Sequence, residues 1–285
     1  MPLFICGTPI GNLEDISLRV LRLLKEADVI AAEDTRHTKK LLSHFDITTP
    51  LVSYHEHSGA GKVAKILELL KQNKAIALVS DAGMPLISDP GEELIRACVE
   101  RDIEIIAAPG PTAAVTALVL SGLNTGRFIF EGFLPRDAKK RAAILSSHID
   151  EERTAIFYEA PHHLKETLRH MLDILGDRQV ALARELTKKF EEVRRGSISE
   201  LLADPNEPKG EHVIILSGVR GLKQKLEQAW QELDLDAHMA IYLEQGLDKK
   251  AAMKAVAKDR GVSKSEIYAQ AVRCNQRQEV GCHVL

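Results

Sequence analysis

The stretch Ser80-Asp81-Ala82-Gly83-Met84-Pro85-Leu86-Ile87-Ser88-Asp89-Pro90-Gly91 puts small residues, prolines and two carboxylates directly behind an apolar run, Ala75-Ile76-Ala77-Leu78-Val79. Small residues let a ligand approach the main chain, because little side chain intervenes. Pro85 and Pro90 fix φ and stiffen the segment. The chemistry this suits is a close grip on a compact polar ligand at the carboxyl end of a strand, where open α/β sheets bind theirs. Asp89, followed by Pro90 and Glu92, reads as an N-cap with proline at the first position of the next helix.

Two further stretches have the same character: Gly7-Thr8-Pro9-Ile10-Gly11-Asn12 and Pro109-Gly110-Pro111-Thr112-Ala113-Ala114. The first is not a G-x-G-x-x-G fingerprint, and alone each fits a simple tight turn. Three such loops at strand ends of one sheet would converge on one crevice. Glu33-Asp34-Thr35-Arg36-His37-Thr38 adds acids, Arg and His behind another apolar run, either as a helix cap with a solvated first turn or as a substrate contact. Glu185-Leu186-Thr187-Lys188-Lys189 and Phe157-Tyr158-Glu159-Ala160-Pro161-His162-His163 close two later runs. Other chemistries are disfavoured. Gly59-Ala60-Gly61-Lys62 fails as a P-loop, with Glu56 where glycine is needed and Val63 where a hydroxyl is needed. His55-Glu56-His57 has no third metal ligand at a suitable spacing, and no G-x-S-x-G elbow occurs.

The elements that must position these residues follow from periodicity. Leu3 to Cys6, Val29 to Ala32, Leu51 to Tyr54, Ala75 to Val79 and Ile103 to Ala107 read as strands, alternating with amphipathic helices. That predicts an α/β domain with a largely parallel sheet over residues 1–121. A second α/β domain is expected over 122–219, with strands at Phe128 to Phe130, Ala155 to Tyr158, Val180 to Ala183 and Val213 to Leu216. Residues 220–285 read as a helical tail. Ala251, Ala252, Ala255 and Val256 mark one helix face ending at Gly261. Ser263-Lys264-Ser265-Glu266 is a capping box for the next helix, with Ile267, Tyr268 and Val272 apolar, which resembles a helix-turn-helix. From Lys249 to Arg277 there are eight Lys and Arg against Asp259 and Glu266, suited to phosphate contacts.

The whole chain, 285 residues with net charge −3, is no general polyanion binder, so such contacts must be local. Cys6, Cys98, Cys274 and Cys282 are scattered without a C-x-x-C pair, which favours a reducing compartment over a disulfide framework. With no signal-peptide pattern and no membrane-length apolar run, a cytoplasmic protein is expected.

Taken in order, the three loops, Ala32 to Thr38, Glu131-Gly132-Phe133-Leu134-Pro135 and Ala183-Arg184-Glu185-Leu186-Thr187-Lys188 resemble the small-subunit ribosomal RNA methyltransferases of the tetrapyrrole methylase superfamily. The resemblance implies two α/β domains with S-adenosylmethionine in the cleft between them, a homodimer, and methylation of a ribose 2′-hydroxyl on a cytidine in the decoding region. It places Pro9 and Gly11 in the first cofactor loop, and Ser80, Asp81, Ala82, Gly83, Met84 and Ile87 in the second. Thr112 and Ala113 would contact the cofactor from the third, and Tyr158, Glu159 and Leu186 from the second domain. Met84 stands where this branch usually has threonine, and His163 where arginine is common.

Methyl transfer to a hydroxyl needs no metal, but it needs a proton acceptor or a cation beside the developing oxyanion. Lys188 is expected to stabilise that charge, and Asp81 or Glu33 to take the proton. Arg36 and His37 would grip phosphate, and Arg136, Lys139 and Lys140 would hold flanking RNA backbone. The alternatives are a tetrapyrrole-precursor methyltransferase, which would have no use for a basic tail, and a non-catalytic RNA-binding factor.

Overall fold

The computed structural model describes residues 1–54, 59–205, 207–219, 233–244, 247–263 and 265–267. His55, Glu56, His57, Lys264, Tyr268, Val272, Cys274 and Cys282 lie outside the described residues. Five short apolar segments form the first sheet: β1 Leu3–Cys6, β2 Val29–Ala32, β3 Leu51–Ser53, β4 Ile76–Val79 and β5 Ile105–Ala108. They lie in the order β3-β2-β4-β1-β5, all parallel. All four residues of β4 are buried, as a strand covered on both faces requires. Helices α1 Leu18–Glu26, α2 Thr35–His44, α3 Gly59–Lys71 and α4 Glu92–Val99 connect them. Ser17 and Asp34 accept the first-turn N–H groups of Val20 and Arg36, which starts α1 and α2 where the capping residues stand.

The next helix, α5 Ala113–Ser121, is apolar around its whole circumference and packs on the second sheet. Its Ala114, Ala117 and Leu118 share a core with Ile156, Ala181, Ala183, Val213 and Ile215. That sheet holds β6 Phe128–Phe133, β7 Thr154–Glu159, β8 Gln179–Arg184, β9 Glu192–Ser197 and β10 His212–Leu216, in the order β6-β7-β10-β8-β9. β6 and β7 run parallel, whereas β10 is antiparallel to both β7 and β8, and β9 antiparallel to β8. Helices α6 Ala138–Ser147, α7 Leu164–Leu175 and the short α8 Ile198–Leu202 accompany it. Leu145, Leu164, Leu168 and Met171 from these helices meet Phe157, Leu182 and Ile214 in the core on the face away from α5. The strand reading missed β9, whose sequence Glu-Val-Arg-Arg-Gly-Ser is charged because it is an edge strand paired on one side only.

Met1–Gly218, with both sheets, forms one compact unit and Val219–Leu285 a second. In the second, α9 Leu235–Glu244 and α10 Lys249–Asp259 pack through Leu235, Met239, Ala252, Met253 and Val256, with Ile267 beside them. Ser263 and Glu266 make the reciprocal bonds of the expected capping box. Among the described residues no helix is long and apolar enough to cross a membrane.

Candidate functional site

Because β4, β1 and β5 are adjacent and parallel, their three following loops emerge side by side. They are tied to one another. Thr8 and Gly83 exchange main-chain hydrogen bonds at 2.8 and 3.0 Å, and the Gly7 N–H donates to the Ala108 carbonyl at 3.1 Å. A Cβ on Gly7 would stand 2.7 Å from the Cα of Gly110, so the first and third loops touch main chain to main chain. Buried Ser80 sits beneath the second loop with its hydroxyl 3.3 Å from the Gly83 carbonyl. The helix after that loop starts at Glu92, where the helical pattern begins, but its cap is not Asp89 with Pro90 in the first turn, as the sequence suggested: Gly91 is the cap, at φ 140° and with no side-chain cap. Ser88 at φ 62° and Gly91 turn the chain, and Asp89 faces a pocket instead.

That pocket encloses about 590 Å³. One wall comes from the first sheet's loops: Ile10, Glu33, Asp81, Ala82, Gly83, Met84, Ile87, Ser88, Asp89, Thr112 and Ala113. The facing wall comes from the second sheet: Phe133, Tyr158, Arg184, Glu185, Leu186, Lys188 and the segment from Gly210 to Val213. The contribution of Gly210, Glu211 and His212 has a topological origin. β10 is antiparallel to β7 and β8, so its amino end lies beside their carboxyl ends, His212 opposite both Glu159 and Arg184.

The residues singled out from the sequence divide into two groups. Glu33, Asp81, Ala82, Gly83, Met84, Ile87, Thr112, Ala113, Tyr158, Leu186 and Lys188 line the pocket. The others do not line it. Gly11 packs against the loop after β8: a Cβ there would meet Lys188 Cγ at 2.6 Å and the Leu186 carbonyl oxygen at 2.8 Å. Glu159 is buried, accepting from the Thr167 hydroxyl at 2.6 Å and the Ala160 N–H at 2.9 Å, which ties β7 to α7. Pro9 is half-buried in the first loop, and Ser80 lies under the second. Arg36 pairs with Asp34 at 2.8 Å on the exposed first turn of α2, with His37 exposed beside it. Arg136, Lys139 and Lys140 are exposed at the start of α6.

The side chains that bear charge have defined surroundings. Asp81 accepts the Asp34 N–H at 3.0 Å, which joins the second loop to α2. Lys188 Nζ lies 3.1 Å from the Glu185 carboxylate. The Tyr158 hydroxyl accepts the Ala114 N–H at 3.2 Å, and burial pushes its pKa up. Asp89 is the carboxylate the sequence reading missed as a site residue. Burial, with Asp81 and Glu211 nearby, raises its pKa, against a hydrogen bond from Ser80. Strain collects here too. Leu86, Ser88, Glu185 and Thr187 hold φ between 50° and 74°, and all lie in the two loops that face one another. Among the described residues, the other non-glycine positions at positive φ, Asp46, Asn73 and Asp102, are small Asx residues that tolerate it.

Residues 2–202 match the family model for tetrapyrrole (corrin/porphyrin) methylases. The chain is 51% identical to "Ribosomal RNA small subunit methyltransferase I" of Halalkalibacterium halodurans and 47% identical to the protein of that name from Bacillus subtilis, each over 93% of this chain and over 93% and 92% of the relatives. The chain belongs to the tetrapyrrole methylase family, in the ribosomal RNA small subunit methyltransferase I branch. Solved structures share the fold. Uroporphyrin-III-C-methyltransferase from Thermus thermophilus superposes at TM-score 0.53 with 22% identity, covering 79% of this chain and 97% of that one. Diphthine synthase superposes at TM-score 0.59 with 14% identity, covering 76% and 90%.

The family's methyl donor is S-adenosylmethionine, and the pocket fits it. The volume is in the range of small-molecule sites. Ala82, Gly83 and the Thr112–Ala113 turn offer nearly bare main chain. Glu33, Asp81, Asp89, Glu185 and Glu211 surround the space with carboxylates, suited to a ligand bearing a sulfonium and an ammonium. Among the described residues no group of three His, Cys, Asp or Glu side chains is placed to hold a metal ion.

Proposed function

We propose that the chain is a cytoplasmic, homodimeric enzyme that methylates the ribose 2′-hydroxyl of a cytidine in small-subunit ribosomal RNA, in the decoding region. What carries the reading is the meeting of Lys188 with Glu33, Asp81 and Asp89 in one pocket, in a chain so similar to proteins named for methylating small-subunit ribosomal RNA. When bound, the donor supplies a methyl group on a positively charged sulfur, activated for attack by an oxygen.

The chain's own residues have the following work. The main chain at Ala82, Gly83, Thr112 and Ala113 holds the donor, with Met84, Ile87, Tyr158 and Leu186 enclosing it. Asp89 takes the hydroxyl proton, because a carboxylate raised above its ordinary range is the better base, whereas Asp81 is engaged with the Asp34 N–H. Glu33 is the second acceptor. Lys188, oriented by Glu185, stabilises charge on the reacting oxygen. Arg36, His37, Arg136, Lys139 and Lys140 contact RNA phosphates. So do the exposed lysines of α10, Lys249, Lys250, Lys254 and Lys258.

The test is transfer of labelled methyl groups to small ribosomal subunits that lack the modification, followed by digestion to nucleosides. Recovery of the label as 2′-O-methylcytidine is expected. Label confined to a base, or none at all, refutes the ribose assignment.

A further inference from the structure

The turn between β8 and β9, residues 185–191, is held firmly. The Thr187 N–H donates to the Glu191 carboxylate at 2.7 Å, and the Asn12 N–H donates to the Thr187 hydroxyl at 2.9 Å. The N–H groups of Lys188 and Glu191 each donate within the turn, to the carbonyls of Glu185 and Lys188, at 3.1 Å. Gly11 presses against its inner side, and two of its residues are locked at positive φ.

This rigid turn displays Phe190 to solvent. The ring is 73% exposed, against 50% for Phe133 and 43% for Phe128, and it joins none of the apolar cores of the described residues. A lone exposed apolar side chain needs no explanation on a loose loop. On an anchored turn it is different, since the ring can bind a partner without a further ordering cost. Lys189 Nζ stands over the ring, 5.6 Å from its centroid. Lys188, two residues before Phe190, lines the pocket, and two residues span at most about 7.6 Å. An exposed aromatic ring with an ammonium group over it, two residues along the chain from a pocket-lining lysine, matches an unpaired nucleotide, whose base stacks and whose phosphates seek cations. A protein contact would match less well, because lysines are depleted at the centres of protein interfaces.

Building on the ribosomal RNA reading, we infer that Phe190 is a stacking platform for an unpaired base of the RNA strand, with Lys189 against the adjoining phosphodiester, positioning the strand while the reacting ribose enters the pocket. Stacking of this kind is worth roughly 5- to 150-fold in affinity when the ring is removed.

The test compares wild type with Phe190→Ala and Phe190→Trp, using small ribosomal subunits that lack the modification. For Phe190→Ala the Kd and KM for the subunit rise about fivefold or more. The kcat at saturating subunit stays within about twofold and the calorimetric affinity for S-adenosylmethionine is unchanged. Phe190→Trp retains wild-type subunit affinity. Unchanged subunit binding by Phe190→Ala overturns the inference, as does a parallel loss of donor affinity, or a change in oligomeric state with subunit binding intact. A wild-type protein that methylates no ribosomal RNA sinks the parent reading instead, so the two failures are distinguishable.

Discussion

Gly11→Ala is the sharpest test of how the two walls of the pocket are held in register. The added methyl would stand 2.6 Å from Lys188 Cγ, 2.8 Å from the Leu186 carbonyl oxygen and 2.9 Å from the Thr187 hydroxyl. Ordinary contact begins near 3.4 Å, so these atoms must retreat by roughly 0.5 to 0.8 Å. Lys188 can swing away, at the expense of its pairing with Glu185. The Leu186 carbonyl can retreat only with its turn, which strains the bond from the Asn12 N–H to Thr187. Overpacking of this kind costs about 1–3 kcal/mol, and a weakened hydrogen bond adds about 1 kcal/mol. For a unit of this size, at roughly 2–4 °C per kcal/mol, the melting temperature falls by about 4–16 °C. A displacement approaching 1 Å at Lys188 lowers kcat/KM by up to about a hundredfold. The assay pairs thermal unfolding with methyl transfer, and Gly61→Ala is the control. A Cβ on Gly61 meets nothing within 4 Å, and the change favours α3 by about 1 kcal/mol. If Gly11→Ala melts and turns over like wild type, the 185–191 turn does not set the geometry of the pocket.

Asp89→Asn lowers kcat by about 10²- to 10⁴-fold and removes the acid limb of the pH–rate profile. The same change raises the melting temperature at neutral pH. A carboxyl with a raised folded-state pKa binds its proton more tightly folded than unfolded, so its ionisation at neutral pH opposes folding; a profile identical to wild type removes Asp89 from the chemistry. Glu211→Gln weakens S-adenosylmethionine about fivefold in calorimetry and the uncharged sulfide product less, because only the donor carries the sulfonium charge. Equal losses for both ligands contradict this. In the small unit, burial and then Arg260 press the pKa of His238 below 6.5, against Asp259. The unfolded chain therefore takes up a proton that the folded one resists, and stability is greatest above pH 6.5 and falls below it, by at most about 1.4 kcal/mol per pH unit. Hydrogen exchange of α9 and α10 at pH 7.5 and 5.5 checks this, and His238→Gln is expected to flatten the difference.

The first sheet could be read from the chain because each parallel strand is a short apolar run ended by a small-residue loop, and β4, buried on both faces, gives the plainest signal. The second sheet was harder to read. β9 hides behind Arg194 and Arg195, since an edge strand has little need of an apolar face. Gly210, Glu211 and His212 stand at the start of a strand, where a parallel sheet has no functional loop; antiparallel pairing carries that amino end to the same rim. Asp89 was misread because a local rule, aspartate before proline, names a helix cap. The backbone at Ser88 and Gly91 overrides it, and that needs long-range information. Gly11 and Glu159 belong to the same lesson. Both stand in stretches that do line the pocket, yet one spaces two loops and the other braces a helix.

Helix α5 follows the last strand of the first sheet but shares its core with the second. The two halves are thus stitched together by a helix that the first carries and the second needs. A gene divided between codons 121 and 122 would yield a leading fragment trailing a greasy helix with nothing to cover it, and a trailing fragment with a bare sheet face. Neither could persist by itself. Mixed, each supplies what the other is missing, so this junction is the natural seam for building a version of the enzyme that works only when two separately made pieces find one another.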